Sequence, residues 1–229
     1  MKNNIAIIIQ ARTGSKRLPG KVLKKLTKKY NVLEFLIKRL KFCKSIKKII
    51  IATSNLRKDD AILNIKANNV FFFRGSEHNV LKRYIETAEK FNLKHLVRIT
   101  GDCPLSDPYL IDKLTKIYFS QDYDYVSNVN PPTFPNGFDI EIFSLKLAKK
   151  SLKKFKSKKN REHVTFAMRD IEMSKFLKIK SYNLLNSKNL NDKRLTLDNS
   201  YDYKIIREIV KKISIRDNWK KIYTIYKNL

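Results

Sequence analysis

The stretch IAIIIQARTGSKRLPGKVL, residues 5–23, decides the fold of this chain. Its continuous apolar run is typical of a β-strand that is buried on both faces of a parallel sheet. The run ends in a turn with two glycines and four cations, which are Arg12, Lys16, Arg17 and Lys21. Backbone N–H groups and positive side chains in a turn after a strand bind phosphates well. We therefore predict that this turn, residues 11–21, holds a triphosphate, and we call it the phosphate loop.

The phosphate loop differs from the common nucleotide-binding motifs. It is not a Walker A motif, because five residues separate Gly14 from Gly20 and no Ser or Thr follows Lys21. It does not contain GxGxxG either. Arg12 and Arg17 suit forked contacts to phosphate oxygens, and Lys21 suits a point-charge contact. The alternative is a solvated loop with incidental lysines, but its glycines and proline indicate a constrained turn around the charges.

Strand-like and helical segments alternate along the first half of the chain. The predicted strands are 5–9, 48–53, 70–73 and 96–100, and the predicted helices between them are 32–43, 59–68 and 80–91. This alternation predicts βαβ units and a mostly parallel sheet with helices on both faces. Ligands bind beyond the carboxyl ends of the strands in such sheets, so the residues directly after each strand are the candidate site.

The second half is less regular. Residues 125–143 contain three prolines and end in a strand pattern, and the lysine-rich segment 144–160 is helical at first. The remaining predicted elements are a helix that begins within 161–170, strands at 177–180 and 194–198, and helices at 200–214 and 219–226. We expect a single domain over residues 1–229.

Two of the strand ends carry an aspartate. Asp102 follows a strand in RITGDCPL, residues 98–105, where it would repel a triphosphate unless a divalent cation lay between them. Mg²⁺ in nucleotide sites is usually held by one or two carboxylates and by phosphate oxygens. Asp198, in RLTLDNSYDY, would supply the second carboxylate of such a site. The alternatives are a turn or helix cap for Asp102 and the N-cap of the next helix for Asp198.

The composition limits the class of protein. A net charge of +29 raises the possibility of a nucleic-acid partner, but the excess lysines are spread along the chain, which favours a solvated surface and no specific nucleic acid. The two cysteines are far apart and outside any CxxC pair, which argues against a zinc site. No apolar run is long enough for a signal peptide or a membrane span, so we expect a cytoplasmic protein without a membrane partner.

Six segments resemble, in order, the spore-coat polysaccharide biosynthesis protein F family. They are IIIQARTGSKRLPGKVL, FRGSEHNVLKRY, VRITGDCPL, PPTFPNGFDIEIF, REHVT and TLDNSYDY. This family is similar to CMP-sugar synthetases such as acylneuraminate and 3-deoxy-manno-octulosonate cytidylyltransferases. The resemblance implies a Rossmann-like nucleotidyltransferase fold that binds CTP and Mg²⁺. It also implies that the hydroxyl of an acidic sugar, or a similar small acceptor, attacks the α-phosphate and expels pyrophosphate, for surface glycan or polysaccharide biosynthesis.

The resemblance and the strand ends together define the expected site. We expect catalytic roles for Arg12, Lys21 and Asp102, and metal binding by Asp102 and Asp198. The expected nucleotide-binding residues are Ala11, Arg12, Thr13, Gly14, Ser15, Arg17, Lys21, Arg74, Gly75, Ser76 and Thr100. The expected acceptor-binding residues are Asn128, Asn136, Asp139, Glu141, Arg161 and His163. No residue stands out as a general base.

The resemblance further implies a homodimer, with residues 130–160 as a small dimerisation arm and acceptor-site insertion. Three alternatives remain at this point. The chain could use another nucleotide, it could be a glycosyltransferase that acts on a finished nucleotide sugar, or it could be a basic nucleic-acid-binding protein. Pyrophosphate release separates the first two classes, and salt-dependent binding identifies the third.

Overall fold

A seven-stranded sheet forms the centre of the protein in the computed structural model, which describes residues 4–229. The strands are β1 (Ile5–Gln10), β2 (Ile49–Ser54), β3 (Val70–Gly75), β4 (His95–Thr100), β5 (Tyr125–Ser127), β6 (Glu141–Ser144) and β7 (Ser181–Asn183). Their order is β3-β2-β1-β4-β6-β5-β7, and β6 runs antiparallel to both of its neighbours while the other pairs are parallel. The predicted mostly parallel sheet is confirmed.

Helices cover both faces of this sheet. They are α1 (Val32–Leu40), α2 (Asp60–Leu63), α3 (Val80–Lys90), α4 (Pro108–Ser120), α5 (Leu145–Lys154), α6 (Lys158–Glu162), α7 (Phe166–Arg169), α8 (Ile171–Leu177), α9 (Ser200–Lys212) and α10 (Trp219–Lys227). Alternate residues of β1 point to opposite faces. Ile7 and Ile9 pack in the core with α1, α4, α9 and α10, whereas Ala6 and Ile8 pack in the core with α3, α5 and α7. The continuous apolar run of β1 therefore reflects burial on both sides.

The strand order reverses direction between β1 and β4. The chain places β2 and β3 on one side of β1 and then places β4 on the other, with Gln10 opposite Thr100. The loops after β1 and β4 diverge at such a switch point and leave a crevice where ligands bind. Gly101 allows the two loops to touch, because a Cβ there would lie 3.1 Å from the Cβ of Ala11.

Several predicted elements of the less regular parts were wrong in extent. The helix predicted at 59–68 covers only α2, and α4 was not predicted although Asp107 caps its N-terminus and Pro108 begins it. Residues 194–198 do not form a strand, because their backbone bonds go to neighbouring loops. Residues 177–180 do not form the predicted strand, because α8 ends at Leu177 and β7 begins only at Ser181.

Part of the segment 130–160, which was predicted as a dimerisation arm and acceptor-site insertion, belongs to the sheet and the core. Within it, β6 lies inside the sheet between β4 and β5. Leu147 and Ala148 of α5 are buried in the core on one face of the sheet. The apolar alternation in this segment therefore serves the core of the chain itself. No helix among residues 4–229 is long and apolar enough to cross a membrane.

Candidate active site

Lys21 joins the two predicted metal ligands at the crevice between β1 and β4. Its Nζ donates hydrogen bonds to Asp102 Oδ2 at 2.7 Å and to Asp198 Oδ1 at 2.9 Å. A third bond, of 2.8 Å, goes to the carbonyl oxygen of Leu197. Three distant parts of the sequence therefore meet at one ammonium group. The structure brings both acids within reach of a single cation, as the expected site requires.

The charges of this cluster support one another. Burial alone would lower the pKa of Lys21, but Asp102 and Asp198 outweigh burial and raise it. Burial alone would raise the pKa of Asp198, but Lys21, and then Arg17 and Arg194, lower it. Arg17 lies 3.2 Å from Asp198 Oδ2, and Arg194 also pairs with this oxygen. Lysine and aspartate are therefore both charged at neutral pH.

Neither acid caps a helix, although Asp102 lies in a turn, as one alternative interpretation predicted. Asn199 is the N-cap of α9, since its side chain accepts a 2.9 Å hydrogen bond from the N–H of Asp202. Asp107 is the N-cap of α4, where its carboxylate accepts from the N–H of Tyr109 at 2.7 Å. The carboxylates of Asp102 and Asp198 are instead directed at Lys21, with about a quarter of each side chain exposed.

Internal hydrogen bonds hold the phosphate loop in shape. The N–H of Thr13 donates to Asp59 Oδ1 at 2.7 Å, and its hydroxyl donates to the carbonyl of Lys58 at 2.9 Å. Ser15 Oγ accepts a hydrogen bond of 3.3 Å from the N–H of Leu18. The side chain of Arg12 is exposed and forms no ion pair with any residue in the described chain. The loop thus uses Thr13 and Ser15 for its own shape and leaves arginine available for a ligand.

Asp59 is an anchor of this loop that the sequence did not reveal. It is buried, and its second carboxylate oxygen accepts a hydrogen bond from Ser54 at the end of β2. Burial would raise the pKa of Asp59, but the hydrogen bonds from Ser54 and Thr13 lower it. A buried carboxylate must be paired or hydrogen-bonded, and these bonds satisfy Asp59.

The end of β3 and the residues that follow it line a second part of the crevice. Arg74 pairs with Asp60 at 2.7 Å, and Ser76 Oγ accepts from the N–H of Asn79 at 2.9 Å. Gly75 is packed so tightly that a Cβ would lie 3.0 Å from side-chain atoms of Arg83 and Phe73. An open cleft of about 490 Å³ lies beside these residues. Glu77, which lines the cleft, reaches to 3.9 Å from the Cβ position of Gly14. The cleft therefore borders the phosphate loop.

Two of the expected acceptor-binding residues are engaged inside the protein. The buried amide of Asn128 donates to the carbonyl of Phe138 and accepts from the N–H of Ile140, each at 2.8 Å. Glu141 is also buried and pairs with Arg98. It accepts further hydrogen bonds from Tyr125 at 2.7 Å and Thr165 at 2.5 Å. The structure therefore gives both residues an internal, positioning role.

Three further acceptor candidates, Asn136, Arg161 and His163, are exposed. Asn136 is exposed and accepts a hydrogen bond from Thr196, near Asp198. Arg161 and His163 are exposed at the end of α6, and Thr165, which bonds to Glu141, follows them closely. Thr100, one of the expected nucleotide-binding residues, has its Oγ1 3.1 Å from the Sγ of Cys103, beside Asp102. Their contacts with a ligand remain predictions.

Two arginines near Glu141 were missed. Arg98 lies within β4, and burial would lower its pKa, but Glu141 raises it strongly. Arg169, at the end of α7, lies 3.7 Å from Glu141 Oε1. A charged residue inside an apolar strand is a sequence signal of a buried partner, and it could have identified Arg98. Nothing in the sequence around Arg169 indicates its position.

Comparison with known proteins agrees with this geometry. The chain matches the sequence model of the family described as Cytidylyltransferase over residues 6–224. An uncharacterized protein of Methanocaldococcus jannaschii is 38% identical over 206 residues, which are 89% of this chain and 82% of that protein. The spore coat polysaccharide biosynthesis protein SpsF of Bacillus subtilis is 40% identical over 136 residues, which are 57% of this chain and 56% of SpsF.

A solved structure covers almost the whole chain. It is a cytidylyltransferase from Leptospira borgpetersenii, with a TM-score of 0.90 and 30% sequence identity, and the match covers 99% of this chain and 94% of that one. The fold, the order of the motifs and the family match therefore agree with one another. This chain belongs to the cytidylyltransferase family and is a nucleotidyltransferase.

Proposed function

We propose that this protein is a Mg²⁺-dependent enzyme that transfers CMP from CTP to a hydroxyl group of an acidic sugar or similar small acceptor, for surface glycan or polysaccharide biosynthesis. One observation carries the proposal. A lysine ammonium holds Asp102 and Asp198 together beside a cationic loop at the switch point of the sheet. The family match and the likeness to SpsF support cytidine and polysaccharide chemistry.

The donor atoms fit a magnesium ion that binds together with a nucleotide. Residues 4–229 contain no group of three or more His, Cys, Asp or Glu side chains that could hold a metal alone. Two carboxylates and phosphate oxygens are a usual set of ligands for Mg²⁺. Asp102 and Asp198 would hold the ion, which would neutralise charge on the phosphates. Because Lys21 lies between the two acids, we expect its ammonium to leave them when the ion binds.

The reaction requires positioning and charge neutralisation. The acceptor oxygen forms a bond to the α-phosphorus, the bond from that phosphorus to the bridging oxygen breaks, and pyrophosphate leaves with the electron pair. Arg12, Arg17 and Lys21 would bind the phosphate oxygens and stabilise the charge that develops on the leaving group. The nucleoside would bind in the cleft beside Gly75. Binding there would orient the α-phosphate toward the acceptor.

Pyrophosphate release tests this proposal. We expect the wild-type protein with Mg²⁺ to release pyrophosphate from CTP in the presence of 3-deoxy-manno-octulosonate or N-acetylneuraminate, used as probe acceptors. ATP, GTP and UTP should give much less. Release of pyrophosphate from another nucleotide instead would identify that nucleotide as the substrate. Consumption of a CMP-sugar without release of pyrophosphate would indicate a glycosyltransferase.

Removal of the Lys21 charge should strengthen metal binding by the nucleotide-free protein. Like charges about 4 Å apart repel by about 4 kcal/mol near a protein surface, and about 1.4 kcal/mol is already tenfold in affinity. We therefore expect Lys21→Met to bind Mn²⁺ at least about tenfold more tightly than the wild type, by electron paramagnetic resonance of free Mn²⁺. Lys16→Met, in an exposed part of the same loop, is the control. Unchanged Mn²⁺ affinity in Lys21→Met would contradict a metal site between the two acids.

We also propose a homodimer, in keeping with the family resemblance. Ile171, Phe176 and Leu185 are apolar and each more than half exposed. They lie on or next to α8 and the edge strand β7, in the second half of the chain. Light scattering after size-exclusion chromatography tests this, since a monomer at micromolar concentration would contradict it. Location in the cytoplasm and the lack of a specific nucleic-acid partner remain predictions.

A further inference from the structure

Asp139 lies on a loop whose backbone is held from two sides. The amide of Asn128 bonds to the carbonyl of Phe138 and to the N–H of Ile140, which are the residues before and after Asp139. Gly137 has a φ of 113° and packs against the backbone of Leu195. Phe138 and Ile140 are fully buried. The position of Asp139 is therefore fixed by the surrounding structure, although it does not belong to a strand or a helix.

The side chain of Asp139 does not take part in the hydrogen bonds that hold its loop. It is half-buried, and it forms no hydrogen bond with another residue of the described chain. Asp139 lies two residues before β6, which begins at Glu141. Its oxygens are not among the fully enclosed side-chain atoms that lack a partner, so a ligand in the crevice can reach them.

Charged groups of several elements face this carboxylate. They are Glu141 of β6, Arg98 of β4, Arg169 of α7, and Asp102 and Cys103 in the loop after β4. Burial, followed by Glu141, raises the pKa of Asp139 to about 6, against the opposing effect of the two arginines. Gly137, two residues before Asp139, packs against Leu195, and the N–H of Leu197 donates to the carbonyl of Asp102 at 2.8 Å, so the loop of Asp139 borders the segments that carry the two acids. A carboxylate with these properties accepts a proton readily near neutral pH.

We propose that Asp139 is the general base, which takes the proton from the acceptor hydroxyl as that oxygen attacks the α-phosphate. The inference rests on the proposed function and adds the proton step that the sequence left unassigned. The O–H bond breaks, its proton moves to a carboxylate oxygen of Asp139, and the oxygen forms the new bond to phosphorus. Pyrophosphate carries away the electron pair of the broken P–O bond, so atoms and charges balance.

The Arg98–Glu141 pair positions this base without touching the substrate. Glu141 is held by Arg98, Tyr125 and Thr165, and Arg98 is also held by a 3.2 Å hydrogen bond to Gln10 at the end of β1. The strand that follows Asp139 is thereby fixed to β4, beside the phosphate loop. This arrangement fixes the position of the loop that carries the base, and proton transfer requires such positioning.

Two variants of Asp139 test the inference with CTP, Mg²⁺ and the two probe acceptors. Asp139→Asn keeps the shape but not the base, and we expect kcat for pyrophosphate release to fall roughly 100- to 10,000-fold. The thermal stabilisation by CTP and Mg²⁺ should equal that of the wild type. Asp139→Ala should regain activity when formate is added, because a small carboxylate can replace the missing group. Restoration by formate distinguishes a proton acceptor from a structural residue.

The outcomes separate this inference from the proposed function. If the wild type bound CTP but released no pyrophosphate with any probe, the proposed function and the inference would both fall. If the wild type were active and Asp139→Asn had the same kcat, only the inference would fall. Loss of activity in both variants together with loss of CTP binding, and without recovery in formate, would also overturn it.

Discussion

Asp102→Asn is expected to lower kcat for pyrophosphate release from CTP by at least about 100-fold, and the fold is expected to remain intact. The loss of kcat comes from loss of a negative ligand at the proposed metal. Electrostatic groups aimed at a reacting phosphate often contribute 100- to 1,000-fold each. Asparagine has the same shape and can still accept the hydrogen bond from Lys21. Pyrophosphate release measures the loss of kcat, and far-ultraviolet circular dichroism shows whether the fold is intact.

Asp122→Asn is the matched control for this variant. Asp122 is exposed in the turn before β5, at the opposite edge of the sheet from the crevice. Its φ is 50°, a conformation that asparagine adopts as readily as aspartate. We expect wild-type kcat for the control. Full activity of Asp102→Asn would remove Asp102 from the mechanism.

Gly137→Ala is expected to cause the largest loss of stability among single methyl additions in the site. At the φ of Gly137, an alanine Cβ would lie 2.6 Å from the carbonyl oxygen of Leu195. Crowding of a packed backbone costs about 1–3 kcal/mol, and a positive φ adds about 1 kcal/mol or more. We expect the thermal midpoint to fall by roughly 6–12 °C. Affinity for CTP and Mg²⁺ should fall too, because the segment of Leu195, which Gly137 contacts, also carries Asp198.

Gly20→Ala separates crowding from backbone strain. Gly20 also has a positive φ, of 64°, but nothing lies within 4 Å of a Cβ there. We expect the cost of the left-handed conformation alone, about 1 kcal/mol, and a midpoint lowered by roughly 2–4 °C. Equal losses in the two variants would show that contact between Gly137 and Leu195 does not hold the segment in place.

The first half of the fold could be predicted because local and long-range signals agree there. The isoleucine run of β1 is buried on both faces, and the turn after it contains the charges and glycines that a phosphate requires. The same rule located Asp102 after β4. Parallel sheets place the ends of their strands at one edge, so residues from distant positions could be assigned to one site without knowledge of their contacts.

The second half could not be predicted to the same extent, because its structure depends on contacts between loops. Residues 194–198 alternate like a strand, yet they bond to the loops of Asn136 and Asp102. The role of Asn128 follows only from the path of the chain around Asp139. The position of Arg169 beside Glu141 likewise depends on the packing of a short helix. No periodic pattern encodes these contacts.

The central claim is that the crevice binds CTP with a divalent cation. Thermal shift of the wild-type protein with CTP, ATP, GTP and UTP, each with and without Mg²⁺, tests it most directly, since a ligand at about 100 times its Kd stabilises the native state by about 2.7 kcal/mol. We predict the largest shift with CTP and Mg²⁺ together, and a smaller shift with the other nucleotides or without the metal. A folded protein that showed no shift with any nucleotide, or an equal shift with all four that was independent of Mg²⁺, would contradict the claim.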